Sequence, residues 1–140
     1  ATSDDLISWK PVVDRKGRLV SALKPRPGFF DSKLVEPGPF ALLKKEGILL
    51  LYNSANNAEA GDKSLPDKTY AVGQALFSNT KPEKLIARAD RYLMHPERDY
   101  EKTGQVNNVC FLEGMVWYKG RWLLYYGTAD SKIAVAECGE

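Results

Sequence analysis

The sequence predicts an all-β chain made of repeated β-propeller blades, and three observations lead there. No long stretch carries apolar residues at the three-and-four spacing of a helix. Short apolar runs rich in Leu, Val, Tyr and Trp recur instead, punctuated by Gly, Pro, Asn and Asp. One unit is also repeated: residues 48–56 (ILLLYNSAN) match residues 122–130 (WLLYYGTAD), 74 positions apart. Each copy has an apolar strand, a turn with Gly at or near it, a long second strand, a short polar exit and an alternating strand. That is the sequence form of a propeller blade.

Taken in order, the expected strands are LISWKPVV, PFALLKK, GILLLYN, TYAVGQALF, EKLIARA, NNVCFLEGMVWY, RWLLYYG and KIAVAEC. Lys45-Glu46-Gly47 and Lys119-Gly120 are compact turns between paired runs, so antiparallel hairpins are expected there. Pro37-Gly38-Pro39 fixes the backbone after Glu36 and bars helix or mid-strand structure. A small β-sandwich would also accept short strands. It has no reason to repeat a Glu–strand–strand unit, so the propeller is preferred.

Composition narrows the function. The 140 residues suffice for one domain, and 44% hydrophobic content allows a packed core. A net charge of +2 carries no electrostatic footprint for nucleic acid. No apolar run approaches the roughly 20 residues of a membrane helix. ATSDDLISWK has neither an initiator Met nor a signal-peptide pattern, so a processed, trimmed or partial chain is expected. Cys110 and Cys138 lie in strand-like runs and read as buried thiols, with one disulfide between them as the alternative. A single His and no Cys cluster argue against a zinc site. GxSxG, Walker and GxGxxG motifs are absent.

The repeat places the acids. Glu36 in LVEPGPFALL and Glu113 in FLEGMVWY are 77 residues apart, so both enter the first strand of successive units. Asn56 and Asp130 are equivalent at the exits. Innermost propeller strands line a central channel, which would turn both glutamates toward one cavity. Two carboxylates on one cavity suit glycoside hydrolysis, with one acid and one base. The plainer readings are an ion pair at the core edge for Glu113 and an exposed turn for Glu36. Lys33 could pair with Glu36 or bind an anion. Arg26 could hold carboxylates or hydroxyls, or be a solvated loop charge. His95 stands in LMHPERDYE, either on the surface or at a pocket rim. Tyr70 opens a third strand and could point its hydroxyl at the channel. Trp117, Trp122, Tyr125 and Tyr126 read mainly as core, with sugar stacking as the alternative.

The segments DLISWKPV, GFFDSKLVEPGPFALL, GILLLYN, YAVGQALF, DYEKTGQVNNVCFLEG and LLYYGTADSKIAVAEC, in nearly this order, resemble glycoside hydrolase family 130. The resemblance implies a five-bladed β-propeller acting on β-mannosides, either by phosphorolysis or by inverting β-1,2-hydrolysis. It makes this chain the C-terminal portion, about two blades plus an edge strand over residues 1–140, with the N-terminal blades absent. Position by position it implies that Asp130 holds the sugar in the non-reducing-end subsite. Lys33, Tyr70 and the His95 region then match places where phosphorylases hold phosphate. Phosphorylases tend to carry a small residue where Glu36 stands and an uncharged one where Glu113 stands. The expectation is therefore an inverting β-mannosidase with Glu36 and Glu113 catalytic, Asp130, Tyr70, Lys33, His95 and Arg26 binding substrate, and no cofactor. A phosphorylase using inorganic phosphate as co-substrate and a non-catalytic glycan-binding propeller are the alternatives. The partners implied are an oligosaccharide and the remainder of the propeller or a companion chain. A bacterial setting follows, periplasmic or secreted for the hydrolase and cytoplasmic for the phosphorylase.

Overall fold

A computed structural model describes residues 1–138. The strands are β1 (Leu34–Pro37), β2 (Leu42–Leu43), β3 (Ile48–Ala55), β4 (Tyr70–Phe77), β5 (Leu85–Arg88), β6 (Cys110–Tyr118), β7 (Arg121–Thr128) and β8 (Lys132–Cys138). One short helix, α1 (Asp99–Lys102), precedes β6. The chain is all-β with antiparallel sheets.

The first sheet runs β1-β3-β4-β5, and β2 also pairs with β3. β1 pairs with residues 52–55 of β3 and β2 with residues 48–49, so the two form one interrupted strand along the same side. Pro37-Gly38-Pro39 is the interruption. Proline has no N–H to give a ladder, and β1 ends on Pro37. A Cβ on Gly38 would come 2.7 Å from the Leu51 carbonyl oxygen, so only glycine lets the chain cross so close to β3. The second sheet runs β6-β7-β8. Its first hairpin turns through Lys119 and Gly120, with φ of 50° and 79°. Two left-handed residues in a two-residue loop match the right-handed twist of the flanking strands.

The alternation of β3 explains the core. Leu51 faces the second sheet and packs with Val72, Cys110, Leu112, Met115, Leu124 and Tyr126. Tyr52, its neighbour, points the opposite way into a cluster with Phe30, Leu65, Ala71, Ala75 and Phe77. The central strands β3 and β4 of the first sheet are thus covered on both faces. The second buries Leu124 and Tyr126 and leaves Tyr125, Ile133 and Val135 outside.

LISWKPVV departs from expectation. Leu6, Ile7 and Trp9 are exposed, and residues 1–23 make only the isolated bridges Thr2–Lys10 and Val13–Leu19. Local side chains capture the backbone first. Asp5 Oδ1 accepts from the amides of Ile7 (2.9 Å) and Ser8 (2.7 Å), and Ser3 Oγ accepts from Leu6. This Asx-type geometry replaces a ladder. Cys110 is buried as expected, whereas Cys138 is exposed, and the two are not bonded to each other. Among the described residues, no helix is long and apolar enough to cross a membrane.

Candidate active site

The inner ends of both sheets meet around one cavity of about 340 Å³. Glu36 reaches it from β1, Tyr70 from the start of β4 and Phe111 from β6. Asp130 enters from the turn after β7, and Val106 and Val109 complete the lining. Backbone bonds join the sheets here: the Tyr70 amide donates to the Asn108 carbonyl at 2.9 Å, and Tyr70 bridges Val109. The Tyr70 and Phe111 rings lie 5.8 Å apart and tilted. Burial, helped by the negative charges of Glu36 and Asp130, pushes the Tyr70 phenol above its ordinary pKa. Its hydroxyl therefore stays protonated and able to donate.

Strand register revises the repeat. Glu36 stands opposite Asn53, and Phe111 stands opposite Gly127. Asn53 and Gly127 are themselves 74 residues apart, so the register counterpart of Glu36 is Phe111. Glu113 lies two positions further along, where a bulge between Leu112 and Gly114 leaves it out of the ladder. The two glutamates are 77 apart because Glu113 lies two residues beyond Phe111, which is 75 from Glu36; the bulge itself adds one residue to β6. Glu113 is exposed on β6, two residues from the cavity-lining Phe111 and outside the lining itself, and makes no ion pair among the described residues. Asn56 and Asp130, equivalent in sequence, also differ in role. Asn56 is buried, accepts from the Asp62 amide and donates to the Asp62, Leu65 and Pro66 carbonyls, organising its loop. Asp130 is exposed, in a left-handed backbone conformation of φ 50°.

Three of the remaining expected residues lie elsewhere. Lys33 follows the buried Asp31 and places its ammonium 3.9 Å from Asp67. His95 stacks near the Tyr92 ring, contacts Glu97 at 3.2 Å and lines a second cavity with Arg98 and Glu101. Arg26 is committed to Asp31 at 3.1 Å and to Asp90 at 3.1 Å, and its Nη2 also donates to the Ala89 carbonyl. Of the aromatic residues, Tyr126 is buried and Trp122 packs against the core, while Trp117 and Tyr125 are exposed.

Phe111 and Asn53 are the residues that sequence reasoning overlooked. Phe111 hides in an apolar run, although its place two residues before Glu113 marks the inner end of that strand. Asn53 is the polar residue that closes the apolar ILLLYN run while the strand continues past it to Ala55, which was a usable signal.

The cavity thus presents two carboxylates, a phenol donor and an aromatic face. Carboxylates and phenols bind sugar hydroxyls, and an aromatic face accepts the C–H side of a sugar ring. Among the described residues no cluster of His, Cys, Asp and Glu could hold a metal ion.

A family model described as beta-1,4-mannooligosaccharide phosphorylase matches residues 1–140. A 1,2-β-oligomannan phosphorylase from Thermoanaerobacter sp. (strain X514) is 32% identical over 97% of this chain and 40% of its own length. A solved glycosyl hydrolase from Bacteroides ovatus is 47% identical with a TM-score of 0.94, covering 98% of this chain and 38% of that one. Another structure, 46% identical with a TM-score of 0.94, covers 98% of this chain and 38% of its own. It is described with the statement that the GH130 family of mannoside phosphorylases contains glycoside hydrolases targeting β-1,2 mannosidic linkages in Candida mannan. The chain therefore spans about two fifths of the proteins it matches.

Proposed function

The chain belongs to glycoside hydrolase family 130, and on that premise we propose that it supplies two neighbouring propeller blades of a β-mannoside-cleaving enzyme whose acceptor is water. The remaining blades come from a longer polypeptide or a companion chain.

One observation carries the reading: Glu36 and Asp130 line the same cavity, and its lining among the described residues includes no Lys, Arg or His. A phosphate dianion placed there would meet two negative charges. Each such pair at ~4 Å costs on the order of 4 kcal/mol at a surface-like dielectric. A neutral sugar and a water molecule meet no such barrier. In this reading Glu36 and Glu113 share the acid and base roles, across the roughly 6.5–9.5 Å that an inverting enzyme leaves for water. Asp130 and the Tyr70 hydroxyl hold sugar hydroxyls, and Phe111 faces the ring.

The names of the family model and of the curated relative favour a second reading, phosphorolysis, more than they favour hydrolysis. Phosphate would then be held from outside this cavity, by Lys33, by the His95–Arg98 region or by further blades.

The deciding experiment offers β-1,2-mannobiose to the relative-length enzyme carrying these residues, with and without phosphate. Hydrolysis predicts free mannose in phosphate-free buffer, with turnover reduced at least about 100-fold in Glu113→Gln. Mannose 1-phosphate formed only when phosphate is present would overturn it in favour of phosphorolysis.

A further inference from the structure

Asn53 connects the two strands that carry the glutamates. Its carboxamide is fully buried in the middle of β3. Oδ1 accepts from the Leu112 amide at 2.8 Å, and Nδ2 donates back to the Leu112 carbonyl at 2.9 Å. The same Nδ2 also donates to the Pro37 carbonyl at 3.3 Å. The side chain thus behaves as a peptide group of a neighbouring strand, bonding both backbone groups of one residue across the gap between the sheets. Leu112 is the last residue before the bulge that holds Glu113. Pro37 directly follows Glu36, and Glu36 is the register partner of Asn53 itself. The junction is tight, since a Cβ on Gly38 would lie 3.4 Å from the Leu112 carbonyl oxygen.

We propose that Asn53 is a positioning residue that sets the separation and orientation of Glu36 and Glu113 by clamping Leu112 and Pro37 from one buried carboxamide. The inference rests on the reading of these glutamates as the catalytic pair. Only an amide meets the demand. An aspartate offers no donor and would turn a charge toward two carbonyl oxygens. An aliphatic residue would leave the buried Leu112 amide and carbonyl unsatisfied. Released from the clamp, the bulge shifts Glu113 relative to Glu36. A displacement near 1 Å at a reacting centre can cost about 100-fold in rate.

The test compares Asn53→Asp and Asn53→Ser with Glu36→Gln, Glu113→Gln and Phe77→Leu, all in the relative-length enzyme on β-1,2-mannobiose. Phe77 is buried at the far end of β4, opposite Ile48 and five residues along β3 from Asn53, so Phe77→Leu lowers stability away from the clamp and serves as the stability control. The Asn53 variants are expected to lose about 100-fold in kcat with KM within about threefold of wild type. Phe77→Leu is expected to keep its kcat at a temperature where it is folded. If Asn53→Asp does not fold, Asn53→Ser, which retains a short donor, is read by the same split. Unchanged kcat in a folded Asn53 variant, with Glu36→Gln and Glu113→Gln inactive, overturns the clamp and leaves the catalytic pair standing. Full turnover in the two glutamate variants overturns both.

Discussion

Asp31 and Glu101 are carboxylates taken out of water, and each is held by donors aimed at it. Asp31 accepts from the Tyr52 hydroxyl at 2.7 Å and faces both Arg26 and Arg88. Arg88 Nη2 lies 2.5 Å from Asp31 without hydrogen-bond alignment, a charge contact more than a directed bond. Burial pushes the Tyr52 phenol up to about 12, with Arg88 and Asp31 pulling in opposite directions. This network explains why Arg26 is a pillar beneath the first sheet. The sequence leaves Arg26 open between holding a carboxylate and a solvated loop charge, because its second partner, Asp90, is 64 residues distant. Glu101 accepts from the Tyr126 hydroxyl at 2.6 Å and from the Glu97 and Arg98 amides at 2.7 and 2.8 Å. Burial alone would raise its pKa, but the bonds from Arg98, Tyr126 and Glu97 outweigh it and hold it below the ordinary glutamate value. The folded state therefore binds this proton less readily than the unfolded state. Its contribution is fully present above the unfolded pKa and is lost as pH falls through the lower folded value. Glu101→Gln should cost about 1.5–3 kcal/mol at pH 7, the scale of hydrogen bonds to a charged group. Urea midpoints at pH 7 and pH 3.5 check this: the wild-type drop between them should shrink in Glu101→Gln, and an unchanged drop would refute the assignment.

At the scale of strands, Gly73 and Tyr52 form one packing unit. They are register partners in β4 and β3, and a Cβ on Gly73 would fall on the Tyr52 ring. The ring cannot swing aside, because its hydroxyl is tied to Asp31 and to Arg88. Gly73→Ala should therefore destabilise by about 1–3 kcal/mol, the usual cost of overpacking. A thermal or urea melt reads this directly, and a neutral result would mean that Tyr52 is free to move. The same pair illustrates what was legible. YAVGQALF and ILLLYN announce strands by composition and alternation, and the Lys119-Gly120 turn announces its hairpin, because those signals are local. The glycine that makes room for an aromatic ring one strand away is not announced, since the reason lies 21 residues back in the chain. LVEP was legible as a proline-bounded turn, yet its first residues pair with β3 because proline ends a strand without preventing one before it. The bulge was invisible for a similar reason. The sequence shows only glutamates 77 apart where the strands repeat at 74, and only register places the bulge and shows that the two are not counterparts.

Across the whole molecule, the central strands β3 and β4 of the first sheet are covered on both faces and the second sheet is not. Ile133 and Val135 of β8 are 82% and 51% exposed, side by side with Tyr125 on the same outer face. Among the described residues, β8 is also the edge strand of its sheet, paired on one side only, with β7. An apolar edge of this kind invites pairing with another strand. On the proposed reading its natural cover is a further blade, since the chain spans about two fifths of the proteins it matches. That makes opposite demands on one substitution. In the 140-residue chain, Ile133→Thr with Val135→Thr should suppress self-association without lowering the melting midpoint, because both side chains already face water. In the relative-length enzyme the same pair should lower stability by about 2–4 kcal/mol, the scale of removing two buried aliphatic side chains' worth of transfer energy. Sedimentation of the short chain and urea melts of the long one measure the two arms. Equal, negligible effects in both would show that no blade covers β8, and the propeller would then have to close on some other edge.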